Sequence, residues 1–385
     1  MGTLKQPRIS FRLKNWHSVL RVLAATALCF GSIASGQAPD ASLTQQEAAK
    51  AEAAGHIQQS LDLYSKALGK TPQWTEGWWK YGGLLYRERR FPEAARAFGR
   101  LTRLAPGNAL GYALLGLCEY EEADWSNAAL HLNKAVNRGG LPPDIFEAAL
   151  YHLGLVLLQQ GNQSGAQLAL KALFRRSPDY PGLKLALGAA ELNLKASPAP
   201  AAPEFPAAQI AATAVVAVLE VRPDDAEKSY RELITLYPSF PFAHFSFGLF
   251  LESHHRDDEA AKELVAETKV SPTSAAPWLW LARVALAQRN SAEARSFAAR
   301  ARELDPSDSL SFFVDGKSLM LDHQWEQALA PLLKAEKLVP QSSEVHYALA
   351  SVYAELHRGP EAERERQLFL QTSQSDGEVE EGGNQ

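Results

Sequence analysis

Cysteine is scarce in this sequence, with two residues, Cys29 and Cys118, among 385. Cys29 lies in an N-terminal segment with the pattern of an export signal, so the mature chain would keep Cys118 alone. One cysteine cannot form an internal disulfide, and we therefore expect a fold held together by packing. Positive charge is also in short supply, because 39 Lys and Arg face 44 Asp and Glu, a formal net charge of −5. That balance argues against a nucleic-acid-binding protein, which needs a basic surface to neutralise phosphates.

Glycine and proline, with 25 and 22 residues, are too few for a collagen-like or wholly disordered chain. The 46% of hydrophobic and 22% of charged residues are close to globular averages. A chain of 385 residues has room for two or more ordinary domains or for one long repeat array. The composition therefore predicts a folded protein with a core of good size.

The first 36 residues have the pattern of a secretory signal peptide. Five basic residues without an acid precede an apolar run at 22–30, and small residues follow up to Gly36. The run is shorter than the roughly 20 residues that a membrane-spanning helix needs. We therefore expect export of the mature chain to the periplasm or the medium, with an uncleaved membrane anchor as the alternative. Removal of this segment would leave 34 basic against 44 acidic residues.

Prolines recur at a fixed spacing of 34 residues, at Pro72 and Pro106 and again at Pro238, Pro272, Pro306 and Pro340. Each ends a segment that contains two amphipathic patterns. In the segment that begins at Thr75 the first pattern is Trp78, Tyr81, Gly82 and Leu85, and the second is Phe91, Ala94, Phe98 and Leu101. Spacings of three and four residues place each set on one face of a helix. Proline then ends the second helix, because it lacks an N–H and clashes with the preceding turn.

This repeated pattern resembles the tetratricopeptide repeat, whose signature runs W-x2-L-G-x2-Y and continues with Ala, a large apolar residue, Ala and Pro. Gly82, Gly116 and Gly248 stand at its close-approach position in the first helix, and Ala94 and Ala128 stand at that of the second. The resemblance implies an all-α fold, a right-handed superhelical solenoid of antiparallel helix pairs. It extends over nine segments: 41–74, 75–108, 109–142, 147–180, 207–240, 241–274, 275–308, 309–342 and 343–376.

An Ala/Pro-rich segment, residues 197–206, interrupts the repeats. It follows a first-helix pattern around Leu187 and Gly188 that lacks its partner helix. Such sequence is extended and semi-rigid. We therefore predict a signal peptide at 1–36, an N-terminal repeat array at 37–196, a linker at 197–206, a C-terminal array at 207–374 and a disordered acidic tail at 375–385. The helix before the linker could cap the first array or stack on the second.

The resemblance also implies a binding surface, because the first helices of such repeats line a concave groove. The groove positions in this chain are Trp79, Tyr86, Tyr120, Tyr151, Phe245, Leu279, Arg283, Phe313, Lys317 and Tyr347. An aromatic, weakly charged groove suits an apolar helix or an extended segment of a partner protein. The alternative is that several of these aromatic residues only pack between neighbouring repeats.

Motifs of catalysis are missing from the sequence. It contains no GxxxxGK[ST], GxGxxG, GxSxG or HExxH pattern and no paired CxxC. Histidines and carboxylates at 254–259 could bind a metal. The 34-residue period, however, places them in a turn between two helices, where Asp257 or Asp258 would cap the second helix. We therefore expect no enzyme activity, no cofactor and no resident metal.

The sequence thus predicts an exported scaffold that binds other proteins or peptide segments, with a role in assembling envelope complexes. Two alternatives stay open. One is a catalytic or carbohydrate-handling envelope factor whose active residues are placed on the solenoid, and the other is a purely structural spacer. A repeat surface is a generic platform, so the identity of the partner does not follow from the fold.

Overall fold

The computed structural model describes residues 39–381 and the side chains of residues 43–373. The predicted signal peptide at 1–36 lies outside the described residues. Within the described range the chain forms nineteen α-helices and no β-strand, so the fold is all-α as the repeats predict. None of the helices in this range is long and apolar enough to span a membrane.

The chain divides into two compact units, residues 1–226 and 227–385. The described part of the first unit contains α1 (Pro39–Ala53), α2 (Ile57–Lys70), α3 (Thr75–Arg87), α4 (Phe91–Leu104), α5 (Ala109–Glu121), α6 (Trp125–Arg138), α7 (Pro143–Gln159), α8 (Gln163–Arg176), α9 (Leu183–Glu191) and α10 (Phe205–Leu219). The boundary falls within α11 (Pro223–Leu236). The second unit continues with α12 (Ala243–Ser253), α13 (Asp257–Val270), α14 (Ala276–Ala287), α15 (Ser291–Leu304), α16 (Ser309–Leu321), α17 (Trp325–Leu338), α18 (Ser343–Glu355) and α19 (Gly359–Glu381).

Each unit is built from antiparallel helix pairs that stack along the chain. The helices of a pair, such as α5 and α6 or α16 and α17, pack closely against each other, and the second helix packs on the first helix of the next pair. First helices also contact one another, as α5 contacts α7 and α14 contacts α16. Fully buried side chains of the second helices, Phe98, Leu132 and Leu332, fill the space inside the pairs.

The turns within the pairs share one backbone conformation. A residue in the left-handed region, with φ between 57° and 60°, follows most first helices, at positions 89, 123, 221, 255, 289, 323 and 357. Gly55 and Gly161 hold the same place in two further turns, with φ of 75° and 73°. Left-handed backbone suits glycine better than any other residue. The repeat period therefore fixes the conformation of this turn even where the residue type is unfavourable for it.

The segment predicted as a linker between two arrays has a different place in the structure. Helix α9 packs against α10 on the other side of the Ala/Pro-rich segment, so the segment lies in the loop between two paired helices. Gly188 makes the pair possible, because a Cβ at this position would lie 2.1 Å from the carbonyl oxygen of Ala208 and 2.7 Å from the amide nitrogen of Ala212. The helix around Gly188 therefore packs on α10, which the sequence pattern assigns to the first helix of the repeat at 207–240. The boundary between the compact units lies beyond the loop.

The C-terminal end also differs from the expectation of a disordered tail at 375–385. Helix α19 extends to Glu381, so residues 375–381 have helical backbone. Residues 382–385 lie outside the described residues.

Candidate functional site

Four of the predicted groove residues form a regular row in the second unit. Phe245, Leu279, Phe313 and Tyr347 follow one another at intervals of 34 and occupy the same register in α12, α14, α16 and α18. Helix α14 contacts α16, and α16 contacts α18. Equivalent positions on stacked helices lie on the same side of the stack. Leu279, Phe313 and Tyr347 therefore form one row, which we call the apolar row.

Exposure rises along these positions toward the C-terminal end. Phe245 is buried, with its ring centroid 5.6 Å from that of Phe242 and 6.4 Å from that of Trp280. Leu279 and Phe313 are half-buried. Tyr347 is 57% exposed and contacts Phe369 at 5.6 Å between ring centroids. The apolar row is thus open to solvent where α16 and α18 meet, and Phe245 belongs to the core.

Two cationic side chains lie beside the apolar row. Arg283 and Lys317 follow Leu279 and Phe313 by four residues, which places each on the same helix face as the apolar residue. The guanidinium of Arg283 lies 4.0 Å from the ring centroid of Trp280 and 3.8 Å from a carboxylate oxygen of Glu252. Lys317 is half-buried and forms no ion pair with any residue that the structure describes. A carboxylate beside the row could therefore pair with Lys317 without breaking an internal contact.

In the first unit, Trp79 and Tyr86 are packing residues. Trp79 is 3% exposed and packs on Phe98 at a ring-centroid distance of 6.0 Å. Tyr86 is 4% exposed and packs edge-on against Phe91 at 5.5 Å. Burial raises the pKa of the Tyr86 hydroxyl far above its usual value. For Trp79, Tyr86 and Phe245 the alternative of packing between helices is the one that the structure supports.

Tyr120 and Tyr151 both contact the ring of His152. The His152 imidazole lies 4.7 Å from the Tyr120 ring and 5.5 Å from the Tyr151 ring, edge-on to both. Burial raises the pKa of both tyrosines to about 12 and lowers that of His152, so the three rings are uncharged near neutral pH. Both tyrosines are half-buried. They form a neutral aromatic patch on α5 and α7.

Two histidines in the second unit make the same two close contacts. Nε2 of His244 lies 3.1 Å from the Pro238 carbonyl oxygen, and Nδ1 lies 2.6 Å from Oε2 of Glu263. His346 repeats this arrangement with Pro340 at 3.0 Å and Glu365 at 2.8 Å. The two sets are 102 residues apart, three periods of 34. Neither histidine stood out by sequence motif, but the recurrence of His and Glu at this interval was a signal that could have located both.

Residues 254–256 of the cluster at 254–259 lie in the turn between α12 and α13, and residues 257–259 begin α13. Nδ1 of His254 lies 2.8 Å from the Phe250 carbonyl oxygen, and Arg256 pairs with Glu227 and Glu259. The expected capping by Asp257 or Asp258 is wrong, because α13 begins at Asp257 and the residue before it, Arg256, makes no capping hydrogen bond. His254, Arg256 and Glu259 of this cluster thus make structural contacts.

An open pocket of about 370 Å³ lies between α9 and α10. Leu185, Phe205 and Val216 supply its apolar lining, and Lys184 and Arg222 supply its cations. Lys184 pairs with Asp179, and Arg222 pairs with Glu220 and Asp225. Because both cations already have carboxylate partners, the pocket gives no indication of an anionic ligand.

Comparison with known proteins agrees with the repeat architecture. Residues 46–109, 84–144 and 258–309 match one model of the tetratricopeptide repeat, and residues 148–180 match a second. The matched segments lie in both units. None of the curated proteins compared with this sequence matches it.

Several solved structures are similar to this chain. MamA from Desulfovibrio magneticus RS-1 is 16% identical, with 44% of this chain and 96% of that chain covered and a TM-score of 0.41. A tetratricopeptide repeat protein from Parabacteroides merdae is 12% identical, with 73% and 100% covered and a TM-score of 0.35. A chain of the APC/C hetero-tetramer Cut9-Hcn1 is 11% identical, with 89% of each chain covered and a TM-score of 0.40.

Proposed function

We propose that this protein is a non-catalytic scaffold that binds a peptide segment of another protein on the apolar row of its second unit. The observation that carries the proposal is the register of Leu279, Phe313 and Tyr347 on stacked first helices, with Lys317 beside them. A row of large apolar side chains buries much area on binding with few rotatable bonds to immobilise. Tetratricopeptide repeats are a scaffold for protein interactions, and the repeats of this chain support that class.

The chemistry of the row defines the partner segment. The partner segment carries apolar side chains that cover Leu279, Phe313 and the exposed ring of Tyr347. It also carries a carboxylate that pairs with Lys317. Arg283 contacts Trp280 and Glu252. It contributes less to binding than Lys317, because an anion of the partner would compete with the carboxylate of Glu252. The expected ligand is therefore an acidic, apolar segment, and the cations supply orientation more than affinity.

The neutral patch of Tyr120 and Tyr151 is proposed as a second contact surface in the first unit. Its rings are half-buried and uncharged, so it would accept an apolar side chain and would not distinguish charges. If substitutions at one surface abolish binding to that unit and leave binding to the other unit unchanged, the two units have separate ligands.

Photo-crosslinking in cells tests the main proposal. A photoreactive amino acid is placed at Phe313 or Tyr347 and, as a matched control, at Leu333, which is 40% exposed on a second helix. We expect positions 313 and 347 to crosslink to the same protein and position 333 to give no such product. Equal crosslinking from position 333, or none from 313 and 347, would contradict the proposed surface.

The crosslinked segment then provides a peptide for titration. Binding of the labelled peptide to the full chain is measured by fluorescence anisotropy. Phe313→Ala and Lys317→Glu should each weaken binding at least tenfold, because they remove a central apolar contact and reverse the unpaired charge. Lys337→Glu, on the exposed side of α17, is the control and should bind like the unaltered protein.

Export is a separate proposal that rests on the basic and apolar pattern of residues 1–36. Export would place the scaffold in the periplasm or in the medium. Cell fractionation, with the intact mass of the purified protein, tests both cleavage and location. Cytoplasmic recovery of an uncleaved chain would contradict it, and membrane recovery of an uncleaved chain would indicate the anchor.

A further inference from the structure

The end of the second unit contains one buried histidine between two carboxylates. Glu336 on α17, His346 on α18 and Glu365 on α19 bring their ligand atoms within 4.8 Å of one another. His346 is 2% exposed and Glu365 is 3% exposed, whereas Glu336 is half-buried and borders solvent. Three consecutive helices thus contribute one potential metal ligand each.

The hydrogen bonds of His346 determine which nitrogen is available. Nε2 lies 3.0 Å from the Pro340 carbonyl oxygen, which can only accept a hydrogen bond, so Nε2 carries the proton. Nδ1 then faces Oε2 of Glu365 at 2.8 Å. A bare ring nitrogen and a carboxylate oxygen repel each other unless a cation lies between them, which must be a proton or a metal ion. A carbonyl bond to the far nitrogen is the arrangement that orients metal-binding histidines.

The matching site at His244 contains the same histidine, carboxylate and proline carbonyl but a different third residue. The position that corresponds to Glu336, three periods earlier, is Ile234. There Glu263 is within hydrogen-bond distance of the imidazole, and the carboxylate of Glu267 accepts hydrogen bonds from the backbone N–H groups of Phe242 and Phe245. At His346 the additional carboxylate brings a second negative charge to the same imidazole. The guanidinium of Arg364 lies 3.9 Å from Glu336 and 3.7 Å from Glu365, and its side chain is 70% exposed.

We propose that Glu336, His346 and Glu365 bind a divalent metal ion of the Zn²⁺ type. One imidazole and two carboxylates match the ligand preferences of zinc, and the two carboxylates balance its charge. Tetrahedral zinc holds its ligand atoms about 3.4 Å apart, so the carboxylate of Glu336 closes in and the pair of His346 and Glu365 opens slightly. The fourth position faces solvent on the side of Glu336. The ion links α17, α18 and α19 and stabilises the end of the unit.

Titration of the metal-free full chain with Zn²⁺ alone tests this assignment. Calorimetry should give one tight site per chain, and Co²⁺ should give a visible absorption band of low-symmetry coordination. Glu336→Gln should lower the affinity at least tenfold while circular dichroism stays unchanged, because Glu336 is at the border of the site. His244→Gln is the matched control and should leave the tight site intact.

A gain of binding provides the converse test. Ile234→Glu places a carboxylate as the third ligand at the His244 site and should raise the stoichiometry from one tightly bound Zn²⁺ to two. The midpoint of thermal unfolding should also rise with Zn²⁺ concentration for the unaltered protein and not for Glu336→Gln. Equal Zn²⁺ affinity of the unaltered protein and Glu336→Gln, or no binding to either, would overturn the proposal and leave a proton between His346 and Glu365.

Discussion

The Cα atom of Gly188 lies so close to the backbone of Ala208 that a Cβ on Gly188 would be 2.1 Å from the Ala208 carbonyl oxygen. Backbone atoms cannot rotate away as a side chain can, so the two helices would have to separate. Gly188→Ala should therefore lower the free energy of unfolding by about 1–3 kcal/mol or more. Chemical denaturation followed by circular dichroism measures the change.

Gly99→Ala is the matched control for that substitution. Gly99 lies within α4 and has no atom within 4 Å of its Cβ position, so alanine should raise the free energy of unfolding by about 0.5–1 kcal/mol. Destabilisation by both variants to the same extent would argue against a tight contact between α9 and α10.

Trp79→Ala should be strongly destabilising, because Trp79 is 3% exposed and packs against Phe98. The expected loss is about 3–5 kcal/mol, the usual range for removal of a large buried aromatic residue. Tyr347→Ala, at a 57% exposed position, should change the free energy of unfolding by no more than about 0.5 kcal/mol. Thermal and chemical denaturation compare the two variants. A Trp79→Ala protein as stable as the unaltered protein would contradict the packing role of Trp79 and favour its place in the binding groove.

His244 should make the stability of the second unit depend on pH. The hydrogen bond to Glu263 raises the pKa of His244, and the Pro238 carbonyl and the charges of Glu263 and Glu267 act in the same direction against the effect of burial. A histidine with a raised pKa in the folded state contributes stability that is fully present below its unfolded pKa, near 6.5. The contribution is lost as the pH rises through the folded pKa.

The measurement is the difference in unfolding free energy between the unaltered protein and Glu263→Gln across the neutral and alkaline range. The difference should be greatest on the acid side and decrease as the pH rises. NMR titration of the His244 ring gives the folded pKa directly. A difference that grows with pH would contradict this assignment.

Arg289→Gly should stabilise the protein. Arg289 occupies the left-handed turn position with φ of 60°, and its side chain is exposed. Release of the left-handed strain exceeds the added entropy of glycine in the unfolded chain, so we expect a gain of about 0.5–1 kcal/mol. Gly161→Ala, at the corresponding turn with φ of 73°, is the reverse experiment and should lose a similar amount. Both are measured by denaturant midpoints.

Cys118 should be inert toward thiol reagents in the folded protein. It is fully buried, and burial, with the nearby carboxylates of Glu119, Glu121 and Glu122, raises the pKa of its thiol. The reactive thiolate is therefore scarce as well as inaccessible. In a Cys29→Ser background, an aromatic disulfide reagent should react only after denaturant is added. Rapid reaction under native conditions would show that α5 opens readily.

The sequence by itself determined the helical repeats of this protein. The period of 34 and the three- and four-residue spacings depend only on the chain's own periodicity, and they correctly predicted paired helices at 75–104 and 309–338. The same period placed Leu279, Phe313 and Tyr347 at equivalent positions.

Only the tertiary structure decided which of these positions reach solvent. Trp79 and Tyr347 have equivalent places in the repeat, but one is buried against Phe98 and the other is mostly exposed, because exposure depends on the size of the residues on the neighbouring helices. The pairing of α9 with α10 across the Ala/Pro-rich loop depends on the fit of Gly188 to Ala208. The cluster of Glu336, His346 and Glu365 joins three helices. Periodicity specifies the face of a helix, whereas contacts between helices depend on shapes that no single helix contains.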